Sequence, residues 1–443
     1  MGVMPEGRLL VTMSFPIMLS MLVQALYNIV DSAFVARISE DALTAVSLAF
    51  PVQLLMIAVA TGAGVGVNAL LSRRLGQNKR DEADAVAAAG IFLAVCCWLV
   101  FAALGLLFGG RFIALFTDVP AIRAMGTRYV TVVTAASCGV FLLFVAERLM
   151  QATGNTVYHM ITQLIGAILN CVLDPILIFG LGGLPALGTT GAALATVLSQ
   201  CTAMAIGFFI NVRFNRDVHI RLRGYRPDGR VIAEIVRIGL PAALQQSLMS
   251  VLTVGLNAIL MPFSQTAVSF YGVYYKLQNF LFMPVFGLNN ALIPMIGYNF
   301  GAKNRRRIER ITQLALALAL GIMAAGTLLF ELLPVPLLGL FQASDAMLAI
   351  GVTGIRVISL SFCPAGASVI LCGCMQGLGR GNESLAVALL RQLIVLLPAA
   401  LLLARVSLRA VWWAFPLAEA VGLAAALVLH RRVRRQLFAE PAV

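Results

Sequence analysis

Charge is what this chain has least of. Only 12% of its 443 residues are Asp, Glu, Lys or Arg, 60% are hydrophobic, and the mean hydropathy is +0.93. A water-soluble domain carries about 25% charged residues, so a soluble globular class is excluded. Histidine is scarcer still: His159, His219 and His430 fall at the ends of apolar stretches or in a loop. There is no His-Glu-x-x-His, no Gly-Lys-Ser/Thr loop and no Ser/His/Asp set with workable placement. The chain is therefore read as no enzyme, and ATP-driven transport by this chain alone is not expected. Thr61-Gly62-Ala63-Gly64-Val65-Gly66 resembles a phosphate loop only in its glycines; inside an apolar stretch it reads as close helix packing. All eight cysteines lie in apolar stretches, with no His or acidic partner at ligand spacing. They read as small apolar filler, so no metal and no organic cofactor is expected.

What the chain has instead is long apolar runs. About 20 such residues cross a hydrocarbon core of about 30 Å, and twelve runs qualify: 11–34, 45–71, 86–108, 128–149, 160–180, 188–211, 236–260, 267–297, 312–333, 350–375, 385–404 and 410–429. The first is too long for a cleavable signal and carries Asp31, so it reads as a retained span. The net charge of +13 is distributed as a membrane protein's is. Of the 32 Lys and Arg residues, 23 fall on one side of this layout and six on the other, with Lys276, Arg356 and Arg391 inside spans. The positive-inside rule then places both termini in the cytoplasm of a bacterial inner membrane, and no nucleic-acid partner is expected.

A shift of 225 residues superimposes landmarks of the two halves. Pro16 falls on Pro241, Gln53 on Gln278, Gly62 on Gly287, Gly76 on Gly301, Phe116 on Phe341, Met150-Gln151 on Met375-Gln376 and Gly154 on Gly379. Six spans per half return the chain to its starting side. The expected fold is thus an all-α integral membrane protein with two six-helix lobes, related by a pseudo-two-fold axis along the membrane normal, as in many secondary transporters. The expected divisions are an N-terminal lobe over 1–211, a cytoplasmic linker over 212–235, a C-terminal lobe over 236–430 and a basic tail over 431–443. Gly76 and Gly301, each before a basic turn, read as helix C-caps.

Charge inside hydrocarbon costs at least about 2.5–3.5 kcal/mol per residue, which singles out Asp31, Asp174 and Glu419. Asp31 and Asp174 share a depth, roughly 6–9 Å below the outer rim at about 1.5 Å per residue. Tyr27 and Asn28 precede Asp31 by four and three residues, and Asn170 precedes Asp174 by four, so each shares a helical face with its acid. Pro175 is expected to break the helix after Asp174 and free backbone carbonyls. Such a pair suits a bound H⁺, or Na⁺ with help from Asn and carbonyl oxygens. Pro16 reads as a bend or hinge in the first span. Glu147-Arg148 reads as an interfacial pair or a snorkelling one, and Glu419 is expected to pair with Arg391 or Arg356. Lys276, Gln278, Asn279 and Met249 are candidates to line a cavity. The aromatic run from Tyr271 to Met283 reads mainly as lipid-facing.

Three stretches resemble the multidrug and toxic compound extrusion (MATE) family, in its DinF/MepA-like prokaryotic branch. They are Phe15-Pro16-Ile17-Met18 to Asp31, Glu147 to Thr156, and Asn170-x-x-x-Asp174-Pro175-Ile176-Leu177-Ile178-Phe179-Gly180 followed by Gly191-Ala192-Ala193-Leu194-Ala195-Thr196. The resemblance implies a monomer that exports amphipathic, cationic drugs or dyes across the lipid bilayer against inward H⁺ or Na⁺. It makes Asp31 and Asp174 the cation-linked carboxylates, Tyr27, Asn170 and Thr196 their partners, and Pro16 the bend. The seventh and tenth spans lack the acids some members carry there, which favours coupling in the N-terminal lobe. A lipid-linked oligosaccharide flippase is the alternative, with Lys276, Arg356 and Arg391 as its only basic candidates.

Overall fold

The computed structural model describes residues 1–183, 185–221, 225–341 and 343–438. Among the described residues it is all helix: α1 (Glu6–Ala36), α2 (Glu40–Gly76), α3 (Arg80–Ala114), α4 (Pro120–Ala135), α5 (Cys138–Ala152), α6 (Thr156–Phe179), α7 (Thr189–Phe214), α8 (Gly229–Leu260), α9 (Gln265–Gly301), α10 (Arg305–Leu332), α11 (Pro334–Gly339), α12 (Asp345–Ser359), α13 (Phe362–Gly377), α14 (Gly381–Leu389), α15 (Leu397–Ala404), α16 (Leu408–Val411) and α17 (Ala414–Phe438). A π-helical stretch, Leu390–Leu396, joins α14 to α15. Ten long apolar helices and two bent pairs, α4–α5 and α12–α13, make the twelve spans, six in each half.

The 225-residue offset is written into the helix ends. Ser39 and Ser264 both cap their helices, accepting the N–H of Ala42 at 3.0 Å and of Ala267 at 3.1 Å, which satisfies an end donor that the helix cannot. The fourth span of each half is bent, by 42° and by 46°, though neither break holds a proline. At the breaks Ser137 Oγ bonds the Thr134 carbonyl (2.7 Å) and Ser361 Oγ the Ile358 carbonyl (2.6 Å), a local competition that disturbs the helical ladder. The opened carbonyls find partners: Trp98 donates to Ala135 at 2.8 Å and Thr327 to Ser359 at 3.1 Å, as buried backbone requires. Gly154 and Gly379 close the second limb of each bent pair in the left-handed region, φ +85° and +76°, where a side chain is strained.

Several expectations are corrected here. Gly76 and Gly301 are not the left-handed caps; Asn78 (φ 59°) and Lys303 (φ 56°) are. The bond from Lys79 N–H back to the Arg74 carbonyl is the six-residue closure that puts the special residue two positions later. Pro175 does not break its helix, since α6 runs on to Phe179; packing against the neighbouring helix outweighs one missing N–H. Helix also claims much of the expected linker, leaving only 215–228 between α7 and α8. Residues 222–224 of it lie outside the described residues. The remainder is pinned by the His219 N–H to Asp84 Oδ1 (2.7 Å). The basic tail is helical to Phe438, and Arg434 reaches Glu309 at 2.6 Å; residues 439–443 lie outside the described residues. Tyr271 and Tyr274 face protein, not lipid. They are buried and pack on Phe415.

The chain divides into two compact units. One comprises Met1 with 19–243 and the other 2–18 with 244–443. The divisions fall two residues after Pro16 and two after Pro241, not at 211 and 236. Both prolines lie inside long helices, so α1 and α8 each contribute a segment to both units. Within the first unit the glycine run of α2 is a packing surface. A Cβ on Gly62 would lie 2.8 Å from the Gly239 carbonyl oxygen, and one on Gly66 would collide with the Ile235 carbonyl of α8.

Candidate functional site

The site lies in the first unit. α1 and α6 carry Asp31 and Asp174 to within hydrogen-bonding reach of each other. Asp174 is fully buried and Asp31 half-buried. One oxygen of each carboxyl, Asp31 Oδ1 and Asp174 Oδ1, has no hydrogen-bond partner in the protein. Two negative charges about 4 Å apart repel by about 4 kcal/mol even at an effective dielectric constant of 20. A cation held between them removes that repulsion and supplies the missing partner.

Asn170 orients the inner acid. With its amide turned to satisfy both neighbours, it donates to Asp174 Oδ2 at 3.2 Å and accepts the backbone N–H of Thr196 at 3.3 Å. Thr196 therefore takes part through its backbone, while its hydroxyl bonds the Ala192 carbonyl of its own helix at 3.0 Å. Tyr27 sits beside both carboxyls. Asn28, one residue further round α1, is exposed; the side of the helix facing α6 is taken by Tyr27.

Two site residues went unrecognised in the sequence. Tyr129 on α4 is buried beside the Asp31 carboxyl and accepts from Gln53 Nε2 of α2 at 3.1 Å. Gln53 carried a signal, since it recurs at Gln278; a tyrosine in an apolar run carried none. A cavity of about 70 Å³ opens beside Tyr27 and Asn170, the neighbours of the pair, lined among others by Gln24, Phe144, Gln163 and Thr196. That is room for a few waters and well short of an organic-ligand pocket, roughly 300–1,000 Å³.

The other candidates lie elsewhere. Lys276 is exposed, 6.0 Å from the Phe341 ring centroid. Gln278 and Asn279 are half-buried, and none of the three lines the cavity beside Asp174. In the second unit Met249 meets Gln392 at 3.4 Å, Glu419 pairs with Arg391 at 3.1 Å, and Arg356 lies 3.8 Å from Glu331. Glu147 and Arg148 are buried within the protein and do not snorkel, at 2% and 6% exposed. Glu147 Oε2 faces His159 of α6 at 3.7 Å, and Arg148 Nη1 donates to Gln151 Oε1 at 2.7 Å. No group of three His, Cys, Asp or Glu residues among the described residues is placed to hold a metal.

Comparison with known proteins agrees with this geometry. The MatE family model matches residues 16–176 and again 241–401, two segments offset by 225. The multidrug export protein MepA of Staphylococcus aureus (strain NCTC 8325 / PS 47) is 26% identical over 435 residues, covering 98% of this chain and 95% of that protein. An FAD transporter of Shewanella oneidensis is 26% identical over 402 residues, covering 90% and 88%. An outward-facing multidrug resistance MATE family transporter of the MOP superfamily aligns with TM-score 0.92 at 25% identity, over 99% of this chain and 98% of that one. A duplicated twelve-span chain matched in both halves by one family model is a multi-pass membrane protein and belongs to the MatE family of transporters.

Proposed function

We propose that this chain is a secondary active multidrug efflux antiporter of the inner membrane, with both termini cytoplasmic. It exports amphipathic, cationic organic compounds in exchange for H⁺ or Na⁺. The reading is carried by one observation: in a chain of this family, Asp31 of α1 and Asp174 of α6 meet inside a single membrane unit, each with a carboxyl oxygen that lacks a hydrogen-bond partner. A cation entering from outside neutralises the pair. A cationic drug held by the charge of the pair then loses its electrostatic partner and leaves, and Pro16 is the bend through which α1 responds. In a one-for-one exchange with a singly charged drug the potential terms cancel and the ion's concentration gradient drives export. Each further cation per cycle adds about 2.3 kcal/mol per 100 mV, a factor of about 50 in the drug gradient.

A flippase for pyrophosphate-linked glycans would need free basic groups facing its cavity. Arg391 and Arg356 each face a glutamate, and that disfavours the alternative.

The test is dye efflux from right-side-out vesicles with pH and Na⁺ gradients imposed separately. Wild type is expected to respond to one of them, and Asp31→Asn and Asp174→Asn to lose that response. Undiminished gradient-driven efflux in both variants would refute the assignment.

A further inference from the structure

The opposite end of the same unit, beside the turn between α5 and α6, holds a second set of buried ionisable groups that the scheme above does not use. Glu147 is 2% exposed and His159 4%. Their orientation can be worked out from donors and acceptors. Arg148 Nη1 donates to Gln151 Oε1 at 2.7 Å, and Asn68 Nδ2 to the same oxygen at 3.3 Å. Both are donors only, so the Gln151 amide is fixed with its NH₂ toward His159 Nε2, 3.3 Å away. The Ser20 hydroxyl lies 3.5 Å from that same nitrogen. His159 Nε2 is thus the acceptor, and the neutral ring carries its proton on Nδ1. Nδ1 faces Glu147 Oε2 at 3.7 Å. Glu147 Oε1 is left with no hydrogen-bond partner.

Along α6, one face carries His159, Gln163, Asn170 and Asp174 in turn. Gln163 reaches the Glu147 carboxyl with its side chain and also lines the cavity that ends at Asn170 and Tyr27. From Gln163 to Asp174 is eleven residues, or about 16 Å of helix. The cavity therefore has the neighbours of the aspartate pair, Tyr27 and Asn170, at one end and Gln163, the neighbour of a lone buried carboxyl, at the other. Among the described residues the charged group acting on Glu147 and on His159 is Arg148. α2 brings uncharged Asn68 and α7 uncharged Asn211 to this region, and α3 packs there through Gly90 against Val145.

We infer that Glu147 is a second proton-binding carboxyl of this unit, exchanging protons between the cavity and the α5–α6 end, with His159 as its positioning residue. The inference rests on the proton-coupled form of the function proposed above. In the step, a lone pair on Oε1 takes a proton from hydronium in the cavity, leaving water, and the carboxylate charge is cancelled. On release the proton returns to water. His159 keeps its own proton throughout and keeps Nδ1–H beside Oε2, 3.7 Å away, while Oε1 has no hydrogen-bond partner of its own.

Infrared difference titration of the full-length purified protein reads protonated carboxyl groups directly. In Asp31→Asn/Asp174→Asn protein a titrating carboxylic carbonyl component of Glu147 is expected among those of the other carboxyls, and adding Glu147→Gln should remove that component. Identical spectra for the double and triple variants would overturn the inference. Glu147→Asp, which disturbs folding less, should keep the band at a changed midpoint; a band unaltered by that change would also overturn it. His159→Asn, which retains an N–H donor, should leave the midpoint in place, while His159→Phe should move it by about one pH unit; equal midpoints would remove His159 from the scheme. If the aspartate substitutions alter no band, the aspartate reading fails alone, because the Glu147→Gln arm is read independently.

Discussion

Substituting Glu419 by Gln isolates the energetics of a charge pair that no coupling scheme requires. Glu419 on α17 accepts from Arg391 Nη1 at 3.1 Å, with both side chains 17% exposed. Arg391 lies in the π-helical stretch, where the extra residue in the turn changes the direction in which side chains leave the helix. Opposite it, Gly422 leaves room for the arginine stem, since a Cβ there would lie 2.9 Å from Arg391 Cδ. At 3.1 Å and an effective dielectric constant of 20 the attraction is about 5 kcal/mol. Removing one partner of such a buried pair typically costs about 3–5 kcal/mol, because the other charge is stranded. Removing both for apolar residues of similar volume is neutral or stabilising by about 1–4 kcal/mol.

Glu419→Gln is therefore expected to lose about 3–5 kcal/mol, and Arg391→Met/Glu419→Leu to recover the loss in full. Denaturant titration in mixed micelles supplies the free energies. A thiol-reactive fluorophore can report unfolding through the buried Cys374 once the seven other free cysteines, all half-buried, are replaced in every protein compared. The reasoning is refuted if the single variant loses less than about 1 kcal/mol, or if the losses at 391 and 419 simply add, since contacting charges should couple by about 0.5–3 kcal/mol.

Three further outcomes are expected. Gly66→Val should prevent accumulation of folded protein, because its Cβ meets the Ile235 backbone carbonyl, which no rotamer change can clear; expression of a fluorescent fusion with size-exclusion profiling checks this. Tyr129→Phe and Gln53→Leu each break the 3.1 Å bond beside Asp31. Each should weaken the apparent affinity for the coupling cation by roughly 2- to 10-fold, read as the cation dependence of dye efflux, with drug affinity much less affected. Ser39→Ala and Ser264→Ala remove equivalent N-caps, so each should cost about 0.5–2 kcal/mol and by similar amounts, measured in the same micelle titration.

Residues whose role depends on the polarity of the chain alone were legible in the sequence. A carboxylate in an apolar run is anomalous whatever surrounds it, so Asp31, Asp174 and Glu419 stood out without a structure. Asn170 followed from helical spacing. Tyr129 did not, because a tyrosine is at home in a membrane helix and only the turn of α4 toward α1 makes it a neighbour of an acid. Glu147 and Arg148 were misread for a related reason. Five residues from a helix end is interfacial depth for a lone helix, but α2 and α6 close over that end and bury both. Pro175 shows the reverse failure, where a strong local rule is overruled by packing that the residue's own neighbours do not encode.

The repeat explains which of these readings transfer between halves. Caps, breaks and close-packing glycines hold the 225-residue offset, because they are conditions for folding a six-helix unit and both halves must meet them. The membrane-embedded ionisable residues do not hold it. Asp31 falls on Leu256 and Asp174 on Ala399, while Arg391 and Glu419 fall back on Gly166 and Leu194. Gly166 lines the cavity of the first unit, so the place that is open space beside one acid pair is filled by a guanidinium in the other unit. A charge pair closed on itself offers a cation nothing, whereas two acids facing each other need one. The asymmetry of ionisable groups on a symmetric scaffold is thus the physical ground on which the proposed coupling is assigned to the N-terminal unit.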